Sequence, residues 1–358
     1  MPASTKAKFT APPKIVVIGK VPNDLANRLS ALGTLSYLER SMSLSEADIV
    51  AATSQAQIIL TEPPDQITAS VINACPELIM IAQRAVGYDN INLKDCESRP
   101  ILVTNTPGVL DNATADLAFA LLLAAGRRIV EADTYVRTGQ WQGFENDLLL
   151  GTEMYGRTIG IIGMGRIGSA VARRAHGFGM NIIYCRANET TSTADDNNIA
   201  HDQKDLNWQA QLGAKRVSLN TVLRQADYIS LHCPHNKQTE KLIGKEQFSL
   251  MKKSAIFINT ARGKIVDEEA LSNAIESRQI RGAGLDVFYH EPKVSPFLLK
   301  APNVVLAPHI GSASEQTRHA MAELAVMSVE LALAGKLPAN TLNAELFDRW
   351  LKNQHFIM

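Results

Sequence analysis

Residues 158–168 read Thr158-Ile159-Gly160-Ile161-Ile162-Gly163-Met164-Gly165-Arg166-Ile167-Gly168. A short apolar run ends in glycines spaced G-x-G-x-x-G. Apolar residues then recur at helical intervals, at Ile167, Ala170, Val171, Ala175 and Phe178. Strand, glycine turn and helix in that order are the context in which this pattern binds a dinucleotide. Gly163 permits a tight turn, Gly165 lets the backbone approach a pyrophosphate, and Gly168 lets helix and strand pack closely. The amides of Arg166 and Ile167 open the helix and offer its positive end to phosphate.

Downstream, apolar runs at 181–184, 227–231, 255–259, 283–287 and 303–307 alternate with helical patterns. With 158–162 they make six strands and predict a doubly wound parallel sheet. A polar stretch, Ala187–Gln209, interrupts them and reads as a surface insertion. Upstream, runs at 14–19, 56–61, 78–82 and 101–104 alternate with helical patterns at 23–32, 44–53 and 66–74, which predicts a second α/β sheet. Asn112–Gly139 reads as one long helix, capped by Asp111 or Asn112 and ended by Gly139. A further helix is expected over about 315–333. The boundaries follow: one domain from 1–110 and 315–358, another from 111–314.

A chain of 358 residues has room for two such domains. Its 36 basic and 36 acidic side chains cancel, so no global field favours nucleic acid or an anionic membrane. The longest apolar stretch, Leu117–Gly126, is too short to span a bilayer. Cys75, Cys96, Cys185 and Cys233 stand at no zinc or redox spacing and read as reduced thiols. Met1–Pro13 has neither an apolar core nor arginine and reads as a flexible arm, so a cytoplasmic protein is expected.

In the NAD variant of this fold an acidic residue ends the second strand. Here that place reads Cys185-Arg186-Ala187-Asn188. A guanidinium at Arg186, with Ala187 and Asn188 beside it, suits a 2′-phosphate, so NADP(H) is expected ahead of NAD(H).

Three ionisable residues follow apolar runs, where such sheets bind ligands: Arg262, Glu291 and His309. Beside a nicotinamide they suit hydride transfer to a 2-oxo acid. Arg262 would grip the substrate, His309 would donate a proton to the carbonyl oxygen, and Glu291 would orient the imidazole. By spacing alone each has a plainer reading, as a surface charge, a turn residue or a loop histidine, and His290 competes with Glu291 for attention. His232 and His235 stand three apart without a nearby carboxylate, so no metal is expected.

Several segments resolve this. Asn259-Thr260-Ala261-Arg262-Gly263, Gly284-Leu285-Asp286-Val287-Phe288 with Glu291-Pro292, and Pro308-His309-Ile310-Gly311 resemble the signatures of the D-2-hydroxyacid dehydrogenases. So do Ala85-Val86-Gly87-Tyr88-Asp89-Asn90, Asn105-Thr106-Pro107-Gly108 and Ala113-Thr114-Ala115-Asp116. Within that family the chain is most similar to the glyoxylate/hydroxypyruvate reductases.

The resemblance implies a Rossmann coenzyme domain and a flavodoxin-like, discontinuous substrate domain, in a homodimer that the 112–139 helix helps to form. It implies Arg262, Glu291 and His309 as the catalytic set, and Val86 and Gly87 as amides for the substrate carboxylate. Asp286 would hold the nicotinamide carboxamide. Cys233, Pro234 and Thr239 would lie along the adenosine half, with Thr260, Ala261, His309 and Gly311 near the nicotinamide. Trp141 and Phe144 would bear on the pocket. Two alternatives stay open: an NAD-dependent dehydrogenase of a bulkier acid, of the mandelate or hydroxyisocaproate type, and a nucleotide-sensing scaffold like the corepressors that resemble this family.

Overall fold

A computed structural model describes residues 12–40, 44–186 and 202–353. The arm through residue 11, Ala187, Asn188 and the first part of the polar stretch lie outside the described residues. The chain divides into two units, Met1–Leu110 with Ser314–Met358, and Asp111–Ala313.

In the first unit β1 (Lys14–Ile18), β2 (Thr34–Leu38), β3 (Ile58–Thr61), β4 (Met80–Gln83) and β5 (Leu102–Thr104) form a parallel sheet in the order β2-β1-β3-β4-β5. The runs are apolar throughout because both faces are covered. Ile15, Val17, Ile58 and Leu60 face one core, and Val16, Ile18, Ile59 and Ile81 face the other. Each such side chain, fully buried, contributes roughly 2 kcal/mol. The helix Glu315–Leu333 returns to this unit because it lays Ala322, Ala325, Val326 and Val329, spaced three and four apart, against the first core. Ser314 caps it by accepting the Thr317 amide at 3.3 Å. Strand β2 was not anticipated. It is an edge strand without a buried residue, so its sequence carries no alternation to read.

The second unit holds β6 (Thr158–Ile162), β7 (Asn181–Cys185), β8 (Lys215–Arg216), β9 (Tyr228–Leu231), β10 (Ile256–Asn259), β11 (Gly282–Leu285) and β12 (Val304–Leu306). Their order, β12-β11-β10-β9-β6-β7-β8, is that of a Rossmann sheet. It has seven strands, not six. The additional one, β8, is two residues long, and the helix Gln203–Leu212 leads to it. The end of the supposed insertion is therefore a crossover helix. Asp202 and Asp205 form its capping box, and Trp208 packs edge-on against Tyr184.

The long helix expected over 112–139 is two helices, Asp111–Gly126 and Ile129–Arg137. Gly126 would give its carbonyl to residue 130 in a continuous helix. Instead that oxygen accepts the Thr152 amide at 2.8 Å, and Arg128 turns with φ +53°. The chain passes so close here that a Cβ on Gly151 would lie 2.5 Å from the Gly126 oxygen. Among the described residues, no helix is long and apolar enough to cross a membrane.

Candidate active site

Strands β6 and β9 are neighbours although β7 and β8 intervene in sequence, so the winding reverses between them. Ligand crevices open beyond the carboxyl ends at such a reversal. Gly163 lies there with φ +99°, and a Cβ on it would sit 2.7 Å from the Cys233 nitrogen. On Gly168 a Cβ would lie 2.2 Å from the Gly163 oxygen, so the helix rests directly on the turn. Gly165 differs, because a Cβ there would meet nothing within 4 Å. It is the N-cap of the helix Arg166–Gly177 and supplies no side-chain acceptor, which leaves the opening amides uncapped. Room for a ligand and uncapped amides together fit a dinucleotide pyrophosphate. At the end of β10 the Thr260 hydroxyl is buried with no hydrogen-bond partner among the described residues, while Ala261 donates its amide to Asn259 Oδ1 at 3.0 Å.

Two expected coenzyme contacts are otherwise engaged. Thr239 is buried, donates its hydroxyl to the Pro234 oxygen at 2.7 Å and accepts the Asn236 amide at 2.8 Å. Its hydroxyl shapes that turn. Arg186 ends β7 as expected, but its guanidinium lies 2.7 Å from Asp202 Oδ1 and 2.8 Å from Asp205 Oδ1. Asp205 also accepts from Tyr184 at 2.5 Å and from Arg216 at 2.7 Å. Burial pushes the Asp205 carboxyl up, yet these bonds together hold it well below the usual range. The guanidinium read as a phosphate grip is thus already neutralised by two carboxylates.

Cys233 is buried, and burial pushes its thiol up to about 12, so it packs as a neutral side chain. Pro234 is exposed. His232 Nε2 lies 2.8 Å from Ser230 Oγ, and burial pushes the ring down to about 4. Trp141 and Phe144, expected at the pocket, are 59% and 90% exposed.

The catalytic candidates come together. His309 follows β12 with φ +55°, a conformation costly for a residue with a side chain. Asp286, which follows β11, enforces it. The Asp286 carbonyl accepts the His309 amide at 2.8 Å, and its buried carboxylate accepts the amides of Ile310 at 2.7 Å and Gly311 at 2.8 Å. The residue expected to hold a carboxamide is the clamp of the histidine turn.

His309 Nδ1 lies 2.8 Å from Glu291 Oε2, and Glu291 Oε1 accepts the Phe288 amide at 3.0 Å. Burial pushes the Glu291 carboxyl up, but the His309 hydrogen bond and charge, the Phe288 amide and the Arg262 charge outweigh it and hold it below the ordinary range. An ionised carboxylate only accepts, so Nδ1 carries the proton and Nε2 is the nitrogen that Glu291 leaves available. Arg262 follows β10, its carbonyl held by Asn259 Nδ2 at 3.0 Å. A Cβ on the next residue, Gly263, would lie 1.9 Å from the Phe288 carbonyl, so only glycine lets this loop press on the Glu291 loop. His290 packs edge-on against the Tyr289 ring. Val86 and Gly87 lie in the first unit, half-buried beyond β4.

Residues 119–311 match the model of the D-isomer specific 2-hydroxyacid dehydrogenase NAD-binding domain. The chain belongs to the D-isomer specific 2-hydroxyacid dehydrogenases. It is 43% identical to a glyoxylate reductase of Korarchaeum cryptofilum, over 93% of this chain and 97% of that one. A glyoxylate reductase of Thermococcus litoralis is 40% identical over 93% and 98%. Among solved structures it is similar to the NADPH-dependent glyoxylate/hydroxypyruvate reductase of Sinorhizobium meliloti in complex with NADP and malonate. That match has a TM-score of 0.78 and 31% identity, over 93% and 98% of the two chains. As a 2-hydroxyacid dehydrogenase this chain is an oxidoreductase that couples a nicotinamide coenzyme to a 2-oxo acid and 2-hydroxy acid pair.

Sequence reasoning overlooked Asp202, Asp205, Arg216 and Gln83. Asp202 and Asp205 lie within the polar stretch and Arg216 beyond it, and nothing in their spacing links them to Arg186. Gln83 stands just after the apolar run 78–82 and looks like a strand end.

Proposed function

We propose that this chain reduces glyoxylate or hydroxypyruvate to the D-2-hydroxy acid. The observation that carries the reading is the His309–Glu291 pair at 2.8 Å on a turn clamped by Asp286. The bound coenzyme supplies a hydride. Arg262 aligns the substrate by charge-assisted hydrogen bonding to its carboxylate or carbonyl oxygen. His309 holds a proton at Nε2 and delivers it to the carbonyl oxygen, and Glu291 offsets the positive charge of the ring before transfer. Val86 and Gly87 take the substrate carboxylate on their amides. In this reading 111–314 is the coenzyme domain, and 1–110 with 315–358 is the substrate domain.

For the coenzyme we propose NADP(H), with Arg186 reaching the 2′-phosphate once Asp202 lets go. A second reading, NAD(H), draws on the Arg186–Asp202 contact at 2.7 Å, because no rearrangement is then needed. We also propose a homodimer. The helix Ile129–Arg137 has no buried residue, and Ile129, Val130 and Val136 are more than half exposed, as a face covered by a second copy would be in one chain alone.

Initial rates of glyoxylate and hydroxypyruvate reduction, with NADPH and NADH in parallel, test this. Turnover with either supports the substrate, and the ratio decides the coenzyme. Turnover only with bulky 2-oxo acids would move the substrate to the mandelate or hydroxyisocaproate type. Turnover with none would leave the scaffold reading.

A further inference from the structure

We propose that Gln83 and Asn105 are positioning residues for the substrate: they tie the 85–88 backbone down so that its amides present a ready-made seat for a carboxylate. The inference rests on the reading that Val86 and Gly87 bind the substrate, and adds which side chains make them able to.

Strands β4 and β5 are adjacent and parallel, with Ala82 beside Thr104, so Gln83 and Asn105 emerge together at one sheet edge. Three successive carbonyls of the loop are drawn back to that edge. The Ala85 oxygen accepts the Thr106 amide at 2.9 Å, the Val86 oxygen accepts Asn105 Nδ2 at 2.9 Å, and the Gly87 oxygen accepts Gln83 Nε2 at 3.0 Å. These peptides are trans, and in a trans peptide the N–H points opposite to the C=O. Pinning those oxygens inward therefore turns the amides of Val86, Gly87 and Tyr88 outward. Among the described residues, none of the three donates to a protein acceptor. A run of convergent backbone amides is an anion seat.

The far end of the loop is fixed as well. Gln83 Nε2 also donates to Asn90 Oδ1 at 2.8 Å, and Asn90 Nδ2 donates to the Asp65 oxygen at 2.7 Å. Gln83, Asn90 and Asn105 are nearly fully buried. Their amide groups are neutral, so they brace an anion seat without repelling the anion. In a buried setting each lost bond leaves a carbonyl unpaired, which frees the peptide to rotate.

Gln83→Met keeps the shape and removes the donor. Asn105→Ala removes the donor to the second carbonyl and leaves the backbone bonds of residue 105 intact. In either variant KM for glyoxylate, or for the 2-oxo acid turned over best, should rise roughly tenfold with kcat changed less than about twofold. Oxamate should bind the coenzyme-saturated enzyme more weakly by the same factor in calorimetry. The nicotinamide dissociation constant, read by fluorescence, should not move. A variant that melts normally and keeps the KM and oxamate affinity of the parent overturns the proposal. If Gln83→Met does not fold, Asn105→Ala decides.

Gly87→Pro deletes one amide proton and leaves the Gln83 and Asn105 side chains in place. If it too leaves KM and oxamate binding unchanged, the substrate role of the loop itself is wrong. If it weakens both while Gln83→Met and Asn105→Ala do not, only the positioning role falls.

Discussion

At one side of the seven-stranded sheet Glu291 holds His309 at 2.8 Å, and at the other Asp202 and Asp205 hold Arg186 at 2.7 and 2.8 Å. Both join carboxylate to base at the carboxyl ends of strands, yet they leave different things available. Glu291 takes one nitrogen of a ring that has two, so His309 keeps a working Nε2. Its own position is set by the Phe288 amide, and that of His309 by Asp286. Asp202 and Asp205 take a guanidinium and cancel its charge, the one property a phosphate grip would use. The lesson is that an ion pair activates a group only when the partner engages an atom the chemistry does not need.

The sharpest break in that comparison is His309→Gln. Glutamine can still pair with Glu291 but carries no transferable proton. General acid catalysis contributes about 10²–10⁴ in rate, so kcat should fall about a thousandfold. Coenzyme binding, followed by nicotinamide fluorescence, should persist. A variant within tenfold of the parent kcat would remove His309 from proton transfer.

The other pair is tested by stability. Asp205 is buried, with Arg216 buried beside it. Asp205→Asn cannot balance that guanidinium, so unfolding free energy should drop by about 3 kcal/mol, read from denaturant midpoints. The pH dependence has a definite sign. The folded carboxyl lies below its unfolded value of 3.8, so its contribution is complete above that value. It is lost as pH falls through the folded value. The difference between parent and variant should therefore be constant near neutrality and shrink only in strong acid. A difference that already narrows between pH 7 and pH 5 would mean the network is not holding Asp205 as described.

What the sequence made legible follows the same division. Arg262, Glu291 and His309 each close an apolar run, and runs buried on both faces are the clearest signal a parallel sheet leaves. The G-x-G-x-x-G turn was legible because each glycine answers a separate steric demand. Side chains that brace were not. Asp286 reads as part of a motif, but only coordinates show its carboxylate on the Ile310 and Gly311 amides. Strand β2 has no buried face and β8 only two residues, so neither leaves a period. The break at Arg128 was hidden because its cause, the Thr152 amide on the Gly126 carbonyl, is a contact across 26 positions of chain.

The smallest expected effect is also the most discriminating between the two coenzyme readings. Asp202 is half exposed, and Asp205 still holds Arg186 at 2.8 Å, so Asp202→Asn should barely alter stability. It removes one of the two charges that neutralise Arg186, and a 2′-phosphate then meets a cluster one unit more positive. The ratio of kcat/KM with NADPH to that with NADH should rise roughly three- to tenfold, almost all of it through KM for NADPH. The gain should shrink as salt rises from 0.05 to 0.5 M, because the charges involved face solvent. A salt-independent gain would point to shape rather than charge. An unchanged ratio would mean that Arg186 does not meet the 2′-position, and that the pair at this edge of the sheet serves only to fasten the helix Gln203–Leu212 to β7.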